Sequence, residues 1–131
     1  MKKTSLLNSR ISAVIAEMGH TDTICIGDAG LPAPKGVERI DLAVTNGIPA
    51  ILDVLDAVSG ELQVEGITLA SEMREANGTL YEAITKRFPD IAIQEVPHEA
   101  FKKMTTDCKA FVRTGECVPY ANLILHAGVT F

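Results

Sequence analysis

The stretch Gly19-His20-Thr21-Asp22-Thr23-Ile24-Cys25-Ile26-Gly27-Asp28-Ala29-Gly30-Leu31-Pro32 decides the fold class. Thr23–Ile26 is a short apolar run that reads as a buried strand. A histidine precedes it, just past a predicted helix end, and an aspartate follows it in a glycine-flanked turn. In an open α/β sheet, ligands bind in the crevice beyond the carboxyl ends of the strands, which is where this reading puts Asp28. His20 and Asp28 stand at opposite ends of one strand, so only chain reversal or a neighbouring subunit brings them to one site. Gly27 and Gly30 carry no side chain, which leaves the backbone around Asp28 free to turn tightly and approach a small ligand.

Outward from that stretch, the chain alternates between helical and extended patterns. Leu6, Leu7, Ile11, Val14, Ile15 and Met18 recur at helical spacing, with Gly19 as the stop. Ile40–Val44 reads as a second strand. Pro49 suits the first turn of a helix ending at Ser59-Gly60. Leu62–Ala70 and Ile91–Val96 read as strands, and the segment from Thr79 to Phe88 as a helix stopped by Pro89. Pro97 opens a helix to about Thr106, and Ala110–Arg113 and Asn122–Leu125 are the last strands. The order α-β-β-α-β-α-β-α-β-β predicts an α/β layered domain spanning residues 1–131, a mixed or largely parallel sheet flanked by helices.

Composition narrows the function. The 131 residues are 47% apolar and 22% charged, ordinary for a globular domain. Aromatic residues are 5% with no tryptophan, which disfavours a base-stacking platform. The net charge is −5, and Lys2-Lys3 and Lys102-Lys103 are pairs and not patches, so nucleic acid is not an expected partner. The three cysteines, Cys25, Cys108 and Cys117, form no CxxC and no framework of pairs. Asn8, Ser9, Arg10 and Ser12 break up the N-terminal apolar residues, and no apolar run reaches the roughly 20 residues of a membrane span. The expected compartment is a reducing cytoplasm, without membrane association.

Several side chains carry chemistry at this level. His20 beside a helix C-terminus offers an imidazole, a group able both to give and to take a proton, although a solvated loop histidine has the same pattern. Asp28 is either a turn aspartate bonded to its own backbone or a hydroxyl-binding carboxylate. His98 and Lys102 lie four apart and share one helix face, with Lys103 on another. Tyr120 and Asn122 lie two apart, on the same side of an extended segment, and offer a phenol and an amide to hydroxyl groups. His20, His98 and His126 show no HxH or HExxH pairing, so no metal site and no cofactor are expected. Cys25, inside a buried strand, reads as an inert small hydrophobe. The apolar ending Ala127–Phe131 packs either on its own core or on another subunit.

Four short motifs occur in order: Gly19-His20-Thr21-Asp22, Gly27-Asp28-Ala29-Gly30-Leu31-Pro32, Pro97-His98-Glu99-Ala100-Phe101-Lys102 and Pro119-Tyr120-Ala121-Asn122. Together, in a chain of this length, they resemble the ribose pyranase and L-fucose mutarotase family essentially end to end. The Leu-Pro after the aspartate turn and the Tyr-Ala-Asn sequence are most similar to the ribose pyranase branch. The resemblance implies an isomerase that interconverts the pyranose and furanose rings of D-ribose without cofactor or metal. It implies His20 as the acid/base group, and Asp28, His98, Lys102, Tyr120 and Asn122 as sugar-binding residues. It also implies a homo-oligomeric ring assembly, such as a decamer of two pentamers, in which each site is completed by an adjacent subunit. The alternatives are a mutarotase for another sugar such as L-fucose, or a non-catalytic sugar-binding accessory of transport.

Overall fold

The computed structural model describes residues 1–131. Its elements are α1 (Ser9–Glu17), β1 (Thr23–Gly27), β2 (Glu38–Asp41), α2 (Ile51–Ser59), β3 (Val64–Ala70), α3 (Met73–Ala76) and α4 (Gly78–Arg87). They continue with β4 (Ala92–Val96), α5 (His98–Met104), a 3-10 turn at Thr105–Asp107, β5 (Ala110–Arg113) and β6 (Leu123–Ala127). The strands form one six-stranded sheet in the order β2-β5-β1-β6-β3-β4. β1, β2, β3, β4 and β5 all run the same way, and β6 is inserted antiparallel between β1 and β3. The sheet is therefore mixed, one of the two forms, mixed or largely parallel, that the alternating pattern leaves open.

Period-2 alternation in the central strands divides the core into two layers. Ile24 and Ile26 of β1, Ala110 and Val112 of β5, and Leu123 and Leu125 of β6 face one side. They pack there with Ile11 and Val14 of α1, Val54, Leu55 and Val58 of α2, and Leu80 and Ile84 of α4. Cys25, Phe111 and Ile124 face the other side and meet Phe101 of α5 with Leu31 and Cys108. Phe101 is fully buried, so it fixes α5 on the sheet, and truncation to alanine costs about 3–5 kcal/mol. Burial pushes the Cys25 thiol well above its ordinary range, in keeping with the reading of an inert small hydrophobe. No helix is long and apolar enough to cross a membrane.

The boundaries depart from the sequence pattern where side-chain caps and long-range packing intervene. α1 begins only after Asn8, whose side chain accepts from the Ile11 amide at 2.9 Å; Leu6 is buried ahead of the helix and Leu7 is exposed. The same helix ends at the extended Met18 and not at Gly19, whose amide instead donates to Asp22 Oδ2 at 2.9 Å. β2 lies at Glu38–Asp41, two residues earlier than the apolar run Ile40–Val44, because its register is set by pairing with β5. The one-turn helix α3 carries too few residues to show a period and was not expected.

Candidate active site

Because β6 alone is antiparallel, two sets of chain ends collect at opposite edges of the sheet. The carboxyl ends of β1 and β4 and the amino end of β6 share one edge, which brings Asp28, His98 and the Tyr120–Asn122 turn together. They line a cleft of about 290 Å³ with Lys102, Gly30, Leu31, Pro32 and Pro119. All five residues predicted to bind the ligand lie in this one cleft, at the crevice position that α/β sheets use for ligands.

Asp28 is the most heavily fixed of them. Its Oδ1 accepts from the Gly30 and Leu31 amides at 2.9 and 2.7 Å, the self-bonded turn that is one of the two readings of its surroundings. Asn122 then grips it from the other side. The Asn122 Oδ1 accepts from the Asp28 amide at 2.8 Å, and its Nδ2 donates to Asp28 Oδ2 at 2.9 Å. Asn122 is 1% exposed, so its first task is to hold the carboxylate, with one N–H and one lone pair left over. The turn is tied down further by residues that sequence reading did not single out. Arg113 donates to the Ala29 carbonyl at 3.0 Å, and the buried Thr114 hydroxyl donates to the Gly27 carbonyl at 2.9 Å. Gly27 is required for packing and not for turning. A Cβ there would lie 3.0 Å from Leu31 and Phe111, and its φ is not in the left-handed region.

Tyr120 and Asn122 share the cleft, but not through an extended segment. Tyr120 has a left-handed φ of 56°, uncommon for an aromatic residue, and the Asn122 amide closes back on the Tyr120 carbonyl at 2.8 Å. The two side chains face the same space because of this tight turn before β6. The Tyr120 ring meets His98 edge-on at 5.1 Å between centroids, and His98 stacks over Phe101 at 6.3 Å. His98 begins α5, as expected, and its amide donates to both carboxylate oxygens of Glu72 at 3.1 and 3.0 Å. Hydrogen bonds from backbone amides, its own first and that of His98 next, hold the Glu72 carboxyl below its usual range. His98 Nδ1 is buried without a partner, the only such side-chain atom in the chain. Lys102 lies one turn on, its ammonium 2.6 Å from Glu99, and Lys103 is exposed on another face.

His20 does not line this cleft. It lies before β1, at the far edge of the sheet, about 17 Å away along a five-residue strand. There its Nε2 is 3.0 and 3.1 Å from the two carboxylate oxygens of Glu65, and its ring borders a groove with Ile15, Met18, Val129 and Phe131. Of the apolar ending, Ala127 is buried in the core, whereas Val129 and Phe131 are exposed. His126, near the same edge, lies 2.8 Å from the Thr68 hydroxyl; burial lowers its pKa, with the Glu65 charge acting in the opposite sense. His98 stands apart from the other two histidines, and no group of three or more His, Cys, Asp or Glu has the spacing of a metal site.

Fold and cleft define a small α/β protein with a polar cleft at one edge of a mixed sheet. The chain belongs to the RbsD / FucU transport protein family, whose model matches residues 1–130. It is 55% identical over 131 residues to a D-ribose pyranase from Lactiplantibacillus plantarum, with all of both chains covered. A D-ribose pyranase from Coprothermobacter proteolyticus is 56% identical over the same span, again with both chains fully covered. Among solved structures, that of Bacillus subtilis RbsD complexed with D-ribose matches with a TM-score of 0.97 and 44% identity, over the whole of both chains.

Proposed function

We propose that this protein is a D-ribose pyranase, which opens the pyranose ring of D-ribose and recloses it as the furanose. The observation that carries the reading is the cleft at Asp28. Within a fold that superposes on a ribose-bound relative, it gathers a carboxylate, an imidazole, an ammonium, a phenol and an amide. Hydroxyl-rich ligands require such a mixture of donors and acceptors. The unpartnered His98 Nδ1 is a hydrogen-bonding atom that a bound hydroxyl satisfies.

The chemistry is proton transfer. A proton is delivered to the ring oxygen as the anomeric hydroxyl loses its own, the bond from C1 to the ring oxygen breaks, and the open aldehyde forms. A different hydroxyl then attacks C1, giving up its proton while the carbonyl oxygen takes one. His20 is the acid/base group of this reading. Asp28, His98, Lys102, Tyr120 and Asn122 bind the sugar and fix which hydroxyl faces C1.

His20 lies at the wrong edge to serve the cleft of its own chain. The site is therefore completed between subunits, with His20 of one chain closing over the Asp28 cleft of a neighbour in a ring-shaped homo-oligomer. The exposed Val129 and Phe131 beside His20 supply apolar surface for that contact. Three free cysteines fit a reducing cytoplasm. Exchange spectroscopy by NMR on D-ribose tests the activity directly. Catalytic amounts of protein should raise the pyranose–furanose exchange rate, and an unchanged rate would refute it.

A further inference from the structure

We propose that Glu65 is the positioning residue for His20, holding the Nε2 proton so that Nδ1 is the atom that exchanges protons with the sugar. The proposal rests on the acid/base role of His20 given above. A carboxylate only accepts hydrogen bonds, so the 3.0 and 3.1 Å approach of both Glu65 oxygens to Nε2 requires the hydrogen on that nitrogen. Nδ1 has no partner within the chain and is left to take up or release a proton.

Three features show that this pair is built into the fold and is not a chance surface contact. The β3–β6 register shifts between Val64 and Gly66, so Glu65 occupies a β-bulge, a device that re-aims a side chain out of the regular pleat. The re-aimed side chain lies against Gly128, where a Cβ would come within 3.0 Å of the Glu65 Cβ and 3.2 Å of its Oε2. The absence of a side chain at Gly128 therefore makes the room in which Glu65 sits. On the histidine side, Thr21 takes a left-handed φ of 72°, an outlier for a β-branched residue, and its amide is pinned to the Ala127 carbonyl at 2.9 Å. The Gly128 amide is bonded in turn to the Gln63 carbonyl at 2.8 Å. The same two residues at the end of β6, Ala127 and Gly128, thus fix both the loop that carries His20 and the bulge that carries Glu65.

The test compares Glu65→Ala, Glu65→Gln and Gly128→Ala with the unaltered protein, in its native assembly, with D-ribose as substrate. Glu65→Ala should lower exchange at saturating ribose by about 10- to 100-fold, the cost of a misplaced catalytic group, with ribose affinity unchanged. Glu65→Gln retains an oxygen that accepts from Nε2 and should recover much of that loss. Gly128→Ala displaces the carboxylate without removing it and should fall between the two, which keeps the test open if Glu65→Ala does not fold. The ¹⁵N shifts of the His20 ring supply a readout independent of turnover. They should report the Nε2–H form in the unaltered protein and a mixture of tautomers in Glu65→Ala. If His20→Ala abolishes exchange while Glu65→Ala and Gly128→Ala leave rate and ring shifts unaltered, the positioning role is overturned and the acid/base role stands. If His20→Ala leaves exchange intact, the underlying reading falls and takes this proposal with it.

Discussion

The two edges of the sheet are built differently. At the Asp28 edge, neutral and charged groups are locked to one another inside a cleft: Asn122 is buried, Asp28 uses both carboxylate oxygens, and His98 is clasped between Phe101 and Tyr120. At the His20 edge the polar groups are half open to solvent, with side-chain exposures of 53% for His20 and 43% for Glu65. The first arrangement has the preorganisation of a binding site. The second is open to solvent, where a single polar contact contributes little to stability. One non-glycine residue with left-handed backbone marks each edge, Tyr120 at the first and Thr21 at the second. The difference is the reason for the proposal that recognition and proton transfer are assigned to separate edges, to be joined by assembly.

Substitutions at the two edges should therefore fail in different ways. The largest effect belongs to His20→Ala, which should slow pyranose–furanose exchange by roughly 10²–10⁴-fold while ribose still binds and the melting temperature barely moves. Exchange spectroscopy beside a binding titration checks this; equal losses in both would erase the distinction between the edges. Asn122→Ala should do the reverse and act on stability and binding together. It removes the partner of the Asp28 amide and of Asp28 Oδ2, while Oδ1 keeps the Gly30 and Leu31 amides, at about 1–3 kcal/mol by denaturant unfolding, with a matching loss of ribose affinity. Tyr120→Phe removes one hydroxyl and keeps the edge contact with His98. It should weaken ribose binding by about 1 kcal/mol without altering the fold, as read by calorimetry and circular dichroism.

The smallest effect concerns pH. Burial lowers the His126 pKa from the ordinary 6.5, so the folded protein takes up this proton less readily than the unfolded chain does. The contribution of His126 is therefore complete above that value and is lost as the pH falls below it. Between about pH 7 and pH 5 the melting temperature should decline, and His126→Gln should flatten part of that slope. A slope unchanged by the substitution would place the titration elsewhere.

The same contrast between edges governs what the sequence made legible. The Asp28 edge depends on local signals. An aspartate between glycines, a proline opening a helix and an i,i+4 pair on α5 all act within a few residues, so five of its side chains could be named in advance. What holds them could not. Glu72, Arg113 and Thr114 reach their partners across 26, 84 and 87 positions, and no short-range pattern announces such contacts. At the other edge His20 is legible as an imidazole after a helix, whereas Glu65 reads as one polar position in the alternating strand Leu62–Ala70. The β-bulge that turns it toward His20 arises from pairing with β6, a strand about 60 residues later. The i,i+2 spacing puts Tyr120 and Asn122 on one side of an extended segment, whereas it is a left-handed turn that aims them.

The central claim is that one site draws His20 from one chain and the Asp28 cleft from another. Mixing His20→Ala chains with Asn122→Ala chains, each impaired alone, under conditions of proven subunit exchange tests it most directly. Sites shared between neighbours in a ring should regain both wild-type residues in about one quarter of cases at equal mixing, and exchange activity should return in proportion. No recovery despite demonstrated exchange, or full activity in a protein that light scattering shows to be a monomer, would contradict the account.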